Sequence, residues 1–279
     1  MLDSDLALWD RSDNASAGFA GQPNGGPHFT LLGPLEVRKD GEDHAPTAPK
    51  VLQVLAMLLM RPGKVVQGDL IIKELWARDP PRGGRTTMQT HVWQLRRYIE
   101  ANGFASDGDQ IIVTRAPGYL LRVDPGQVDV AVFQWLAREG RALFDRQHYA
   151  EAATVLRKAL DLWGGPPLAN VICGPVLSVY ATDLEEQRRN TQRLCIHAEI
   201  EAGMYHDLIG ELRSLIAASP LDEGLNGQLM RVLNLSGRRI EALELYRQFR
   251  ARLSGELGLE PCNELQELHH VLLSDQSHR

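Results

Sequence analysis

Cysteine is scarce here. Cys173, Cys195 and Cys262 are the only three in 279 residues, too few and too far apart for a disulfide framework. No C-x-x-C occurs, and no histidine stands at ligand spacing from a cysteine pair, so zinc modules are excluded. The thiols read as reduced groups in a cytoplasm. Long apolar runs are missing too: none approaches the roughly 20 residues of a membrane span. The amino-terminal stretch sets Asp3, Asp5, Asp10 and Asp13 against Arg11 alone, whereas a secretory signal begins basic and turns apolar. Neither a G-x-S-x-G elbow nor a G-x-x-x-x-G-K-[ST] phosphate loop is present. His269–His270 and His197 with Glu199 are ordinary pairings, since adjacent histidines on a helix point to different sides. The chain is therefore not expected to be an enzyme, and no catalytic residue, metal or cofactor is expected.

The net charge of −6 argues at first against a nucleic-acid partner. Its distribution argues otherwise. Residues 1–27 are net −3, residues 28–124 net +2 and residues 125–279 net −5. Positive charge is confined to one segment.

Residues 1–27 hold Gly, Asn, Ser, Asp and Pro without period and read as a disordered leader. FTLLG and LEVRK over 29–47, with a turn at Asp40-Gly41, predict a small antiparallel sheet. Pro49–Met60 predicts a core helix with Pro49 in its first turn. Asp69 is placed to cap a second helix, DLIIKELW, with Leu70, Leu75 and Trp76 inward. After DPPRGG a third helix runs from about Arg85 to Ala101. Strands IIVTR and YLLRV follow, joined by Ala116-Pro117-Gly118. Beyond Asp124 only helical periodicity remains. The domains expected are thus 28–124, 125–273 and a short tail at 274–279. A cut after residue 124 is expected to leave DNA binding partly intact.

The third helix carries Met88, Val92, Leu95 and Ile99 in one stripe at about 100° per residue. Its opposite face is then Thr86, Thr90, Trp93, Gln94 and Arg97, flanked by Thr87 and His91. No acidic residue occurs from Arg82 to Ile99, while Arg82, Arg85, Arg96 and Arg97 are basic. A helix offered to a polyanion excludes carboxylates, because each would repel phosphate. Arginine suits guanine, glutamine suits adenine, and Thr methyls or a Trp edge suit thymine methyl groups. A solvated helix rarely leaves a Trp uncovered. Arg115 at the hairpin tip and Tyr119 after it suit a wing lying along a phosphate or minor groove. Lys50, in the first turn of the first helix, is a further candidate phosphate contact. Sheet, three helices and a basic hairpin make a winged helix-turn-helix.

The second half repeats. Gly203 is followed by Leu208, Leu212 and Leu215, Gly237 by Ala242, Tyr246 and Phe249, and Gln147 by Ala152, Leu156 and Ala159, each at offsets of five, nine and twelve. The two glycines are 34 residues apart, the tetratricopeptide period. An insertion of about 22 residues, rich in Gly and Pro (LWGGPPLANVICGPVLSVY), interrupts the array. The fold class expected is an α+β winged helix-turn-helix domain followed by an all-α TPR-like repeat domain, whose stacked helix pairs make a surface for protein partners.

TTMQTHVWQLRRYIE and IIVTRAPGYLL resemble the recognition helix and wing of the OmpR/PhoB class over residues 29–123. Leu52 stands where relatives often have a second basic residue. With VDVAVFQWLAREG and GRRIEALELYRQFRARLSGELGLEP, residues 28–273 resemble the SARP regulators of actinobacteria, whose second part is the bacterial transcriptional activation domain. That resemblance implies an activator binding double-stranded promoter DNA at direct repeats near the −35 element, with two protomers in tandem. It also implies contact with RNA polymerase holoenzyme including its sigma factor, control of an antibiotic or secondary-metabolite gene cluster, and a cytoplasmic, nucleoid-associated location. The competing reading is a TPR-type adaptor with a structural winged-helix domain.

Overall fold

The computed structural model describes residues 27–205 and 207–274. The expected leader (residues 1–26) and tail (275–279) lie outside the described residues. The chain forms two compact units, and the division falls inside two helices. The first comprises residues up to Trp135 together with Leu162–Glu185; the second comprises Leu136–Asp161 and Glu186 onward.

The first unit opens with β1 (His28–Thr30), β2 (Glu36–Lys39) and β3 (Glu42–Asp43), antiparallel in the order β1-β2-β3. Asp40 and Gly41 both have positive φ, the turn that matches strand twist in a tight hairpin. Helix α1 (Pro49–Leu59) is buried from Val51 through Leu59, as its all-round apolar sequence requires. Strand β4 (Val65–Gln67), which the sequence did not reveal, precedes α2 (Gly68–Trp76). Asp69 lies in the first turn of α2 rather than capping it; the cap is Gln67. The inward face of α2 is Ile71, Glu74 and Leu75, with Leu70 and Trp76 only half-buried. Helix α3 (Gly84–Ala101) follows, then a one-turn helix α4 (Gly108–Ile111) capped by Asp107, where a loop was expected. Strands β5 (Ile112–Arg115) and β6 (Gly118–Leu121) form a second sheet in the order β4-β6-β5.

The first unit does not end at Asp124. A turn at Pro125–Gln127 leads into α5 (Asp129–Asp145), whose first residues pack back on the strands. The Asp129 carboxylate accepts from the N–H groups of Leu31 and Leu32 at 2.7 and 2.8 Å, and from Val130 at 2.7 Å. Burial pushes its carboxyl up to about 6, against the opposing pull of those three N–H groups. The Gly/Pro insertion belongs here as well. Asn170 accepts from Leu35 N–H at 2.6 Å and donates to Leu35 C=O at 3.1 Å, and Gln53 donates to the Ile172 carbonyl. Glu74, 2% exposed, accepts from the N–H groups of Gly174, Val176 and Leu177 at the start of α7 (Pro175–Glu201). Val128, Phe133, Leu168 and Leu177 are buried. A cut after residue 124 would remove all of these partners of the first unit.

The second unit contains the remainder of α5 and α7, with α6 (Tyr149–Leu160), α8 (Leu208–Ala218), α9 (Glu223–Leu235), α10 (Arg239–Leu257) and α11 (Asn263–Ser274). The repeat frame is physical. Gln147, Gly203 and Gly237 all sit at positive φ in the turns before α6, α8 and α10. Five and nine residues later, Ala152, Leu156, Leu208, Leu212, Ala242 and Tyr246 are buried. Arg157 on α6 is held between two carboxylates, donating to Glu199 at 2.6 and 2.7 Å and to Glu211 at 2.6 and 3.1 Å. Those bonds hold its guanidinium well above the usual arginine range. No helix among the described residues is long and apolar enough to cross a membrane.

Candidate nucleic-acid interface

The sequence Asp79-Pro80-Pro81-Arg82-Gly83-Gly84 sets the start of α3. The Pro81 carbonyl accepts from both Gly83 and Gly84 N–H at 2.8 Å, and Gly83 at φ 142° takes a conformation that side chains disfavour. The predicted stripe Met88, Val92, Leu95 and Ile99 is buried. That burial fixes the rotation of the helix, and Thr86, Thr87, Thr90, Trp93, Gln94 and Arg97 are exposed on the other side. Trp93 is 58% exposed, the largest uncovered side chain of the helix. Thr90 Oγ1 donates to Thr86 C=O at 3.1 Å and Thr87 Oγ1 to Gly83 C=O at 3.3 Å, so their methyls and the hydroxyl lone pairs are left to meet a ligand.

His91 is half-buried between α3 and α2. Its ring lies 6.4 Å from that of Trp76, and its Nδ1 lies 3.1 Å from Gln94 Oε1. Arg97 pairs with Glu100 at 2.7 Å, so one carboxylate just past the acid-free stretch reaches back to it. Both groups are solvent-accessible, and a pair of that kind is worth little. Arg82, Arg85 and Arg115 are exposed and form no ion pair among the described residues.

Three of the residues expected to contact DNA have partners inside the protein. The Lys50 ammonium donates to the Leu75 carbonyl at the end of α2, where a cation meets unsatisfied carbonyls and the negative end of the helix dipole. Arg96 is only 18% exposed and points along the helix toward the wing. It donates to Ile112 C=O at 2.6 and 3.1 Å and to Thr114 Oγ1 at 2.8 Å, and pairs with Asp109 at 2.7 Å. Tyr119 is buried at 8% exposure, with the Arg96 guanidinium 5.9 Å from its ring. All three side chains are engaged within the first unit.

The wing is held just as firmly on its other side. Each β6 residue pairs with β5, and β6 also pairs with β4. A Cβ on Gly118 would fall 1.9 Å from the Val66 carbonyl oxygen, so only glycine allows this approach. Pro117 C=O accepts from Gly68 N–H at 3.1 Å, tying the wing tip to the start of α2. Arg115 ends β5 beside that tip. The surface that results is a convex helix face of hydroxyls, amide, indole and guanidinium, with cations at its amino end and on the wing. Sequence reasoning missed Trp76 and Asp109 as braces. The Arg97–Glu100 pair was readable from its spacing of three.

Comparisons with known proteins match both parts of the chain. The family described as "Bacterial transcriptional activator domain" matches residues 128–273, and that described as "Transcriptional regulatory protein, C terminal" matches residues 42–121. The regulatory protein DnrI of Streptomyces peucetius is 37% identical over 251 residues, 88% of this chain and 91% of that protein. The regulatory protein AfsR of Streptomyces griseus is 34% identical over 248 residues, which cover 88% of this chain but 24% of AfsR. The structure of Mycobacterium tuberculosis EmbR in complex with a low affinity phosphopeptide matches with a TM-score of 0.82 at 31% identity, over 90% of this chain and 65% of that one.

Proposed function

The chain belongs to the SARP-type family of bacterial transcriptional regulators, which join an OmpR-type DNA-binding domain to a bacterial transcriptional activator domain, and from that premise we propose a sequence-specific activator that reads promoter DNA with α3 and the β5–β6 wing. Its relatives and both matching domains are transcriptional regulators, not enzymes. The observation that carries the residue-level reading is the exposed face of α3. Its core stripe is buried, its outer face holds no carboxylate through Ile99, and an indole stands uncovered beside an amide and a guanidinium. The reading set is Thr86, Thr87, Thr90, His91, Trp93, Gln94 and Arg97, with Arg115 supplying a phosphate or minor-groove contact from the wing.

In this reading the protein acts in the cytoplasm, on the nucleoid. Two protomers lie in tandem on direct repeats near the −35 element. The helical unit, net acidic and built of stacked helix pairs, recruits RNA polymerase holoenzyme including its sigma factor. The genes controlled are those of an antibiotic or secondary-metabolite cluster.

The test is binding of the full chain to promoter DNA across a salt series, with footprints. Affinity falls steeply with salt if phosphates are neutralised. Gln94→Ala and Arg97→Ala each weaken specific binding by about 1–3 kcal/mol and relax preference at one base pair. Footprints unchanged by both substitutions would remove α3 as the reading element and leave the adaptor reading standing.

A further inference from the structure

We infer that His91 is a positioning residue for base recognition: it fixes the amide of Gln94 so that Gln94 meets the groove as a hydrogen-bond donor. The inference rests on α3 being the reading helix and adds a division of labour within it.

Gln94 is exposed on a helix surface, with three rotatable bonds between its backbone and its amide. Left alone, such a side chain samples many rotamers, and ordering it on binding costs entropy. It is not left alone. His91, one turn earlier on the same face, places Nδ1 3.1 Å from Gln94 Oε1. An amide oxygen only accepts, so the proton of this bond belongs to Nδ1. The imidazole is itself braced: it is half-buried, and its ring lies 6.4 Å from Trp76 at a tilt of 32°. Trp76 closes α2, the helix whose Ile71 and Leu75 enter the core. A chain of contacts therefore runs from the core through Trp76 and His91 to the Gln94 amide.

This arrangement has a chemical consequence. With Oε1 engaged by His91, the Nε2 amino group is the part of the amide without a partner among the described residues. It carries two donor hydrogens. The base edges that answer a lone donor in the major groove are acceptors: N7 of either purine, O6 of guanine and O4 of thymine. A free glutamine can present either end of its amide to a base edge. His91 sets one orientation: it takes one lone pair of Oε1 and leaves the other, with both Nε2 donors directed at an acceptor, of which purine N7 is the most accessible.

The experiment uses the full chain. A duplex is selected from a randomised pool by the wild-type protein, and affinities are then measured for every single-base variant of it. Gln94→Ala identifies the base pair that Gln94 reads. His91→Phe keeps a ring against Trp76 but removes the donor. The expected result is a loss of discrimination of about threefold to tenfold at that same base pair, with other positions and the salt slope unchanged. In the Gln94→Ala background, His91→Phe adds nothing there. Replacing the purine at that position by its 7-deaza analogue lowers wild-type affinity and leaves Gln94→Ala indifferent. If Gln94→Ala relaxes a base pair and His91→Phe does not, the positioning role is wrong while α3 still reads DNA. Equal effects of His91→Phe at many positions would likewise overturn it, since His91 would then act only through helix placement. If neither substitution changes any base preference, the reading-helix assignment itself falls.

Discussion

Removing the Glu74 carboxylate should loosen the DNA-binding unit without touching its surface. Glu74 is 2% exposed and accepts three backbone N–H groups, from Gly174, Val176 and Leu177, about one hundred residues downstream. Those donors open α7, where the first N–H groups of a helix have no partner within it. Glu74→Ala leaves three donors unsatisfied, each worth about 1–3 kcal/mol when buried. Part of this is offset because the carboxylate no longer has to be desolvated, and water can enter the space left behind. A net loss of about 3 kcal/mol follows, a substantial fraction of the roughly 5–15 kcal/mol that holds a domain folded. For a unit of this size that lowers Tm by about 6–12 °C. Glu74→Gln keeps one acceptor and should fall between. Gly174→Ala probes the same clasp from the other side, because its Cβ would lie 2.2 Å from the Glu74 carbonyl oxygen. The assay is urea unfolding followed by tryptophan fluorescence, joined to native-state hydrogen exchange at residues 174–177. A Glu74→Ala protein within 0.5 kcal/mol of wild type, with those amides still protected, would refute the clasp.

Three further outcomes are expected. Arg157→Ala leaves Glu199 and Glu211 facing each other without their shared cation and should destabilise the helical unit by about 3 kcal/mol, whereas Arg157→Lys keeps the charge but cannot make paired bonds to each carboxylate and loses roughly half; chemical denaturation of the full chain distinguishes them. Asp129 titrates near 6 when folded and near 3.9 when unfolded, so the native state binds its proton more tightly; stability from this group is fully present below about pH 4 and lost as pH rises through 6, by about 3 kcal/mol, and unfolding midpoints of wild type against Asp129→Asn across pH 4–7 show that slope disappear in the variant. Arg115→Ala should lower the salt slope of DNA binding by about 0.9 with no change in stability, while Arg96→Ala should lower stability by about 1–3 kcal/mol with no change in slope; titrations at several salt concentrations and a thermal melt test both.

The fold was legible wherever a period carried it. The stripe of α3 and the offsets after Gln147, Gly203 and Gly237 were all readable because burial repeats with the helix turn. What escaped was contact at long range. The Gly/Pro segment looks like a spacer in sequence, yet Asn170, Ile172 and Gly174 fasten it to Leu35, Gln53 and Glu74. A backbone donor has no signature in the sequence. The one available hint was Glu74 itself, an acid at the buried position of α2 between Ile71 and Leu75, where a charge persists only with partners. Strand β4 escaped for a different reason: three residues are too few to show alternation.

The site was legible in its face but not in its individual cations, and Arg96 and Arg97 show why. One residue along a helix is a rotation of about 100°. That step carries the guanidinium from open solvent at Arg97 to the groove between α3 and β5 at Arg96, where a carbonyl, a hydroxyl and a carboxylate wait for it. Charge counting treats the two alike; a wheel drawn for one helix in isolation sets Arg97 on the outer face and Arg96 beside it, but cannot show the capture of Arg96, because the wing begins only at Ile112. The same holds for Lys50, which the carbonyl end of α2 captures. An unsatisfied helix end or strand carbonyl inside the protein competes with phosphate for a nearby cation, and being covalently tethered it wins at the shorter range. Among the described residues Arg82, Arg85 and Arg115 are exposed without an ion pair and so remain available to a phosphate, with Arg97 held only by a pair open to solvent.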